Sequence, residues 1–471
     1  MFHRNTLTAL LASVSLTACA AGPDYVAPTP PPMAAQEFIG AADSPAVTTA
    51  EPQGDWWRLY DDPMLDALVR DALAANTDVR VAVARIERAR ASLRGAASDR
   101  LPSTALEGTA TYGRTARSQA LPGVDRERRA VDAGMAIGYE LDLFGRVSRG
   151  VEAARGDWQA AREDADAVRV AVVADTVRAY VDAAASAERI AVATRTVDLL
   201  ERSLRITGAR EERGLADRLD LIRLTQLRDE QAAAIPALAA DRDAALFRLA
   251  TLTGRAPAAL PAEAGARTRP PDLAQPIPVG DGRALLARRP DVRAAERRLA
   301  ASTARIGVAT ADLYPRISFG ASAGTSTVGA TDLFGAGALR WLVGPLVSWA
   351  FPNQEAIRAR IGEARADADA DLARFDASVL RALEETETAL SAYRNALLRR
   401  ASLQSARDAA DRAARASLAR QRVGRVDFLT VLDAQRTLAD AEFALAEADR
   451  SVAFAQVDLF RALGGQWTQQ S

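Results

Sequence analysis

Val131-Asp132-Ala133-Gly134-Met135-Ala136-Ile137-Gly138-Tyr139-Glu140-Leu141-Asp142-Leu143 decides how this chain is read. Its odd positions, from Val131 through Met135, Ile137, Tyr139 and Leu141 to Leu143, are apolar or aromatic. Its even positions are Asp132, Gly134, Ala136, Gly138, Glu140 and Asp142. Alternation with period two marks a strand with one apolar face. The run covers 13 residues. That exceeds the usual strand of about 5–6 and approaches the span of a tilted transmembrane strand.

The pattern recurs from Leu339 to Phe351, where Leu339, Trp341, Val343, Val347, Trp349 and Phe351 share a face and Arg340, Gly344 and Ser348 lie opposite. A shorter strand precedes each long one. The first turns Leu106, Gly108, Ala110 and Tyr112 outward; the second turns Ile317, Phe319, Ala321 and Ala323 outward. The expected strands cover about 103–114, 129–144, 316–326 and 337–351. Val131, Ile137, Tyr139, Leu141, Trp341, Val343 and Trp349 are the candidate lipid-facing residues. Tyrosine and tryptophan suit the two membrane interfaces.

The chain repeats itself. Asp78-Val79-Arg80 returns as Asp291-Val292-Arg293, a shift of 213 that also carries Ala82 to Ala295, Arg85 to Arg298 and Pro102 to Pro315. Further on, Gly214, Asp217, Leu219 and Gly254 match Gly424, Asp427, Leu429 and Gly464 at a shift of 210. The expected plan is therefore two tandem repeats, 56–254 and 287–464, each a helix, a hairpin and two long helices. A connector, 255–286, rich in proline, glycine and alanine, is expected to pack on the outside. Residues 465–471 form a tail. Pro102 and Pro315 are expected to end the leading helices, because proline cannot donate the amide a helix interior needs. Val147 to Ile206 and Glu355 to Arg422 read as very long helices, with Val379, Leu383, Leu390, Leu397 and Leu398 forming narrow seams. Gly214 and Gly424 are expected to reverse the chain at the helix-turn tip through a left-handed backbone.

Two hairpins cannot close a barrel in lipid, where an open sheet edge leaves backbone groups unpaired at several kcal/mol each. The chain must therefore assemble symmetrically, and sequence physics alone leaves the subunit number open.

Composition narrows the chemistry. Of 471 residues, 61 are acidic and 60 basic, a net charge of −1 that argues against nucleic-acid binding. The single histidine, His3, and the single cysteine, Cys19, both sit near the N-terminus. Leu16-Thr17-Ala18-Cys19 follows an apolar stretch from Leu7 and reads as a lipobox ending a signal peptide at 1–18, with Cys19 acylated. Ala20, where an aspartate would mark inner-membrane retention, favours the outer membrane. The chain after Cys19 then has no histidine and no free thiol. No catalytic residue, no metal site and no cofactor beyond the covalent lipid are expected. Residues 19–55, proline-rich, read as an extended segment leading from the anchor, and Trp56-Trp57 introduces a helix from about Pro63 to Ala75.

Taken together, the lipobox, Trp56-Trp57 with Asp62-Pro63, the repeated Asp-Val-Arg, and Tyr139-Glu140-Leu141-Asp142-Leu143-Phe144-Gly145 resemble the outer-membrane factor lipoproteins of the NodT and OprM type, relatives of TolC. So do Arg422-Val423-Gly424 with Asp427 and Val431-Leu432-Asp433-Ala434-Gln435-Arg436. The resemblance spans nearly the whole chain after Cys19. It implies a mainly α chain with a transmembrane β portion, forming a homotrimer with a 12-stranded β-barrel continued by a 12-helix periplasmic α-barrel. It further implies a passive exit duct of an efflux system, lipid-anchored in the outer membrane and extending into the periplasm, where a periplasmic adaptor and an inner-membrane transporter of the RND class are its partners. By the same resemblance, Leu429 forms an apolar ring and Asp433 an acidic ring at the periplasmic gate, with Arg436 nearby. The alternative for Asp433 is an ion pair with Arg223, its counterpart in the first half. Two other functions compete: a periplasm-spanning lipoprotein scaffold, which has no use for amphipathic strands, and an exported carboxylate enzyme, which lacks any pocket signature.

Overall fold

A computed structural model of the chain describes residues 20–29, 36–42, 44–51, 54–119, 122–123, 125–273, 275–328, 335 and 337–465. Cys19 and the signal segment lie outside the described residues. In chain order the elements are β1 (Val47–Thr48), α1 (Pro63–Ala75), α2 (Thr77–Ser98), β2 (Ser103–Arg114), β3 (Glu127–Leu141), α3 (Arg146–Glu211) and α4 (Arg218–Leu252). There follow β4 (Ile277–Pro278), α5 (Gly282–Arg288), α6 (Pro290–Ala311), β5 (Arg316–Val328), β6 (Leu339–Ser348), α7 (Glu355–Arg422) and α8 (Phe428–Ala462). The repeat is exact at helix ends: α2 maps onto α6 at a shift of 213, and α4 onto α8 at a shift of 210. The three-residue change in shift falls between β2/β5 and the long helices. Helix α3 has 66 residues and α7 has 68, about 100 Å each at 1.5 Å per residue.

The chain divides into two compact units. One comprises Met1–Pro28, Arg85–Ala161 and Ala294–Phe375. It holds an antiparallel sheet in the order β2-β3-β5-β6. The helices leading into the sheet, α2 and α6, stop at Ser98 and Ala311, a full turn before Pro102 and Pro315. The turn between is tightened: Leu101 N donates to Ser98 O at 2.9 Å, and Tyr314 N to Ala311 O at 3.1 Å. Proline removes an amide and also bars its preceding residue from helical dihedrals, so the helix unwinds before reaching it.

The other unit comprises Thr29–Ala84, Arg162–Arg293 and Asp376–Ser471. Its core is built on Trp56 and Trp57, with Leu65, Leu68, Val173, Val177, Leu390, Leu459 and Phe460. Trp56 stacks on Phe460 with ring centroids 4.5 Å apart. Asp62 caps α1 by accepting from Met64 N and Leu65 N, and Pro63 takes the first helical position. The second carboxylate oxygen of Asp62 accepts from Tyr180 OH at 2.9 Å and from Arg267 at 2.6 Å. Alanines 174, 179, 453 and 455 are buried among the larger side chains and let the helices approach closely.

Two expectations change here. The connector does not stay outside: Ile277, Val279 and Leu285 are fully buried in this core. Residues ahead of Trp56 are also tied down, because β1 pairs in parallel with β4. Ile39 N and Gly40 N both donate to the Glu387 carboxylate at 2.7 and 2.8 Å. A short parallel pairing satisfies backbone groups that proline-rich composition alone would leave to water. On α7, Val379 and Leu390 are buried, but Leu398 is 62% exposed and belongs to no seam within the chain.

Candidate channel wall and helix reversals

The pairing register sorts the sheet into two faces. Leu106, Ala110 and Tyr112 of β2 stand opposite Met135, Val131 and Arg129 of β3. Val131, Ile137, Tyr139 and Leu141 stand opposite Thr327, Ala321, Phe319 and Ile317 of β5. Ile317, Ala321 and Ala323 stand opposite Val347, Val343 and Trp341 of β6. Directly paired residues point to the same side, so these residues line one face. Trp341, Val343 and Val347 are 72%, 60% and 66% exposed. Among the described residues no partner within the chain covers that face.

The opposite face carries Glu107, Thr109, Asp132, Glu140, Ser318, Ser322 and Arg340. Arg340 forms an ion pair with Asp132 at 3.1 Å. Gly134 and Gly324 are paired on this face. A Cβ on Gly324 would lie 2.5 Å from Ala133 O and 2.7 Å from Gly134 Cα, so the backbones approach as only glycine permits. Two residues break the alternation. Leu342 and Leu346 pair with Ser322 and Ser318, which places them on the polar face, 66% and 58% exposed. The list of outward residues read from sequence omits them. Their signal was two leucines out of phase in an otherwise alternating strand.

Aromatic rings gather at the two ends of the apolar face. At the end joining the helices, Tyr139 pairs with Phe319. Phe144 stacks on Tyr314 at 4.5 Å and Trp349 on Phe351 at 4.7 Å. Trp349, just past the end of β6, donates its indole N–H to Leu313 O at 3.0 Å. At the far end stands Tyr112, while Trp341, in register with Ala323 and Met135, lies between the two ends. Tyr112 pairs with Arg129, ten positions before Tyr139 on β3. Ten positions span about 34 Å along a strand. At a tilt of about 40–45° that is a height of about 25 Å, the thickness of an outer-membrane apolar band. Among the described residues no helix is long and apolar enough to cross a membrane.

The helix reversals form the second site. Gly214 and Gly424 have φ of +73° and +72°. In each, the residue after the glycine donates back five positions: Leu215 N to Arg210 O at 2.8 Å, and Arg425 N to Arg420 O at 2.9 Å. The glycine amides reach Glu211 O and Gln421 O. This is the Schellman closure, in which a left-handed residue satisfies the last helical carbonyls. Asp217 and Asp427 cap the following helices through Leu219 N and Thr430 N. Hydrogen bonds from the Thr430 hydroxyl and amide hold the Asp427 carboxyl below the usual aspartate range.

Beyond Asp427, Leu429, Asp433 and Arg436 fall four and three positions apart and share an exposed face of α8. Val431, Gln435 and Ala439 form its buried face, with Gln435 donating to Ser203 Oγ at 3.3 Å. The Asp433 carboxylate makes no ion pair with Arg223 among the described residues, so that alternative is not realised within one chain.

A sequence profile described as outer membrane efflux protein matches residues 68–255 and again 282–465, one match for each half. The chain belongs to the outer membrane efflux protein family. It is 33% identical to outer membrane protein OprJ of Pseudomonas aeruginosa over 474 aligned residues, covering 98% of this chain and 96% of OprJ. The solved structure of the outer-membrane channel OprN superposes with a TM-score of 0.88 at 37% identity, covering 95% of this chain and all of that one. The open-state outer membrane channel MtrE of Neisseria gonorrhoeae superposes with a TM-score of 0.82 at 26% identity, covering 95% of this chain and 98% of MtrE. As a member of this family the chain is an efflux channel of the bacterial outer membrane, with a TolC-like fold.

Proposed function

We propose that three copies of this chain pool their strands into a closed 12-stranded barrel, continued by a 12-helix tube, and act as the passive exit duct of a tripartite efflux pump. The observation that carries the reading is a four-stranded sheet with one largely apolar face and two edges unpaired within the chain, β2 and β6. In lipid, neither edge is tolerable until it meets an edge of another copy. The proposed partners are a periplasmic adaptor and an inner-membrane RND-type transporter, which supply substrate and energy, so the duct needs no catalytic step.

Acylation of Cys19 belongs to the same reading. Ala21 N donates to Phe144 O at 2.9 Å, Asp24 pairs with Arg149, and Tyr25 OH donates to Glu296 at 2.8 Å. These contacts dock the residues that follow Cys19 beside the aromatic girdle at the strand–helix junction, where an acyl chain would enter the membrane.

The gate is assigned to Leu429, Asp433 and Arg436. Their free face supports the reading: three copies around a threefold axis would present rings of leucine, carboxylate and guanidinium to the lumen and narrow it, the Asp433 ring being the part that would attract cations. The test is single-channel conductance in planar bilayers. Leu429→Ala with Asp433→Ala is expected to raise conductance over wild type. Unchanged conductance would remove these residues from the gate, and absence of any conducting unit in wild type would remove the duct itself.

A further inference from the structure

Residues 20–25 form a strap that crosses α6 at a contact with no room for a side chain. Gly22 and Gly307 lie face to face. A Cβ on Gly22 would stand 2.5 Å from Gly307 Cα, and one on Gly307 would stand 2.8 Å from Ala21 O. Both clashes are with backbone, which cannot swing aside as the end of a side chain can. A third glycine meets the strap ahead of α3, where a Cβ on Gly145 would stand 2.9 Å from Ala20 Cα. Polar contacts continue the grip. Asp24 pairs with Arg149 of α3, whose side chain is only 8% exposed. Tyr25 donates to Glu296 of α6 and lays its ring 5.9 Å from the Arg297 guanidinium. Gly307 sits inside a helix of 22 residues, where glycine costs about 1 kcal/mol relative to alanine. The repeat shows that the helix itself does not need it. At the shift of 213, α2 carries Arg94 in place of Gly307, and Val83 and Ala84 in place of Glu296 and Arg297. The residues by which α6 holds the strap are absent from its twin.

We infer that Gly22 and Gly307 form a seat that fixes the lipid-bearing N-terminus against the strand–helix junction, so that the protein itself sets where the acyl group on Cys19 meets the membrane. This rests on the acylation reading above and makes Gly307 a positioning residue for the anchor. Cys19 is three residues from Gly22, within about 10 Å by chain length alone. A lipid on a loose tether of that composition would leave the body free to shift beneath it, whereas a seated strap transmits the position of one to the other. The strap also touches α3 of the first half and α6 of the second, so the seated anchor ties the two halves together beside the sheet.

The test measures deuterium uptake at residues 20–25 in the full chain, extracted in mild detergent from cells fed labelled palmitate. The Ala21 amide, bonded to Phe144 O at 2.9 Å, reports the seat. Gly307→Val and Gly22→Val are each expected to speed exchange in the strap about tenfold, with the palmitate label unchanged. The double variant is expected to exchange no faster than either single one, since both changes remove one and the same contact. Gly95→Val, at a glycine of α2 with open space around it, is expected to leave the strap as in wild type. Should α6 fail to fold with valine at 307, Gly22→Val, outside every helix, decides alone. Wild-type exchange in Gly22→Val would overturn the inference. So would additive effects of the two valines, or a strap released equally by Gly95→Val. A wild type that carries no palmitate while its strap stays protected would overturn the acylation reading and leave the glycine contact standing.

Discussion

Asn76 and Arg289 occupy the same place in the two halves, 213 residues apart, and do the same work with different chemistry. The Asn76 side chain donates to Leu252 O, closing the end of α4, and its carbonyl oxygen caps α2 by accepting from Asp78 N and Val79 N. Arg289 donates to Ala462 O, closing the end of α8, and forks onto Asp291 and Glu385 at 2.7 Å each. Burial works against the Arg289 guanidinium, yet these carboxylates hold its pKa above the ordinary arginine value. Arg288 beside it donates to Leu463 O and Val279 O, with no carboxylate in contact among the described residues, and burial drops its pKa to about 10. The comparison teaches that the fold requires a donor at the helix end and leaves its charge free. The second half has taken the charged solution.

The strongest way to break the comparison lies in the return helices. Pro236 interrupts α4 on its exposed side, while Ala446, its counterpart, is buried in α8 at 4% exposure. If the halves were interchangeable, each would tolerate the other's residue. Ala446→Pro is expected to cost about 3 kcal/mol or more, since it deletes an amide bond and inserts a ring where the helix is packed. Folded protein recovered from membranes should fall sharply. Recovery equal to wild type would show that α8 is as loosely held as α4.

Next in size is the pair of end caps. Arg289→Ala removes a buried charge and its three partners, an expected loss of about 3 kcal/mol. Asn76→Ala removes two neutral caps, an expected loss of about 1 kcal/mol. Thermal unfolding in detergent should rank Arg289→Ala well below Asn76→Ala. The reverse order would mean that the charged cap merely offsets its own desolvation.

A smaller effect is expected from Glu188. Burial raises its carboxyl pKa, and nearby Asp449 adds to the rise against the pull of Arg269 at 3.0 Å. The folded state then holds this proton at a pH where the unfolded state has lost it. Its contribution to stability therefore falls as pH rises from the unfolded value through the raised folded one. Glu188→Gln should unfold at a higher temperature than wild type at pH 7, with the gap closing towards pH 4. A gap that widens on acidification would contradict the burial argument.

Legibility followed the physics of each element. Period-two alternation depends on nearest neighbours, so the face shared by Val131, Ile137, Tyr139, Trp341 and Val343 can be read in a line of text. Gly214 and Gly424 announce their turns because few other residues adopt that backbone. Leu342 and Leu346 were hidden because both faces of β6 carry apolar side chains. The burial of Ile277 and Val279 was hidden because their partners lie in β1 and α1, more than 200 residues away. The free state of Asp433 was equally out of reach, since a charge matched at a repeat shift says nothing about which way a helix face turns.

All of this rests on the apolar face meeting lipid with the β2 and β6 edges closed by neighbouring copies. Native mass spectrometry of the protein released from outer membranes in mild detergent tests that most directly. Three chains per particle, persisting until the protein is heated in denaturing detergent, is the expected result. A single chain, extracted without detergent and stable in water, would contradict it.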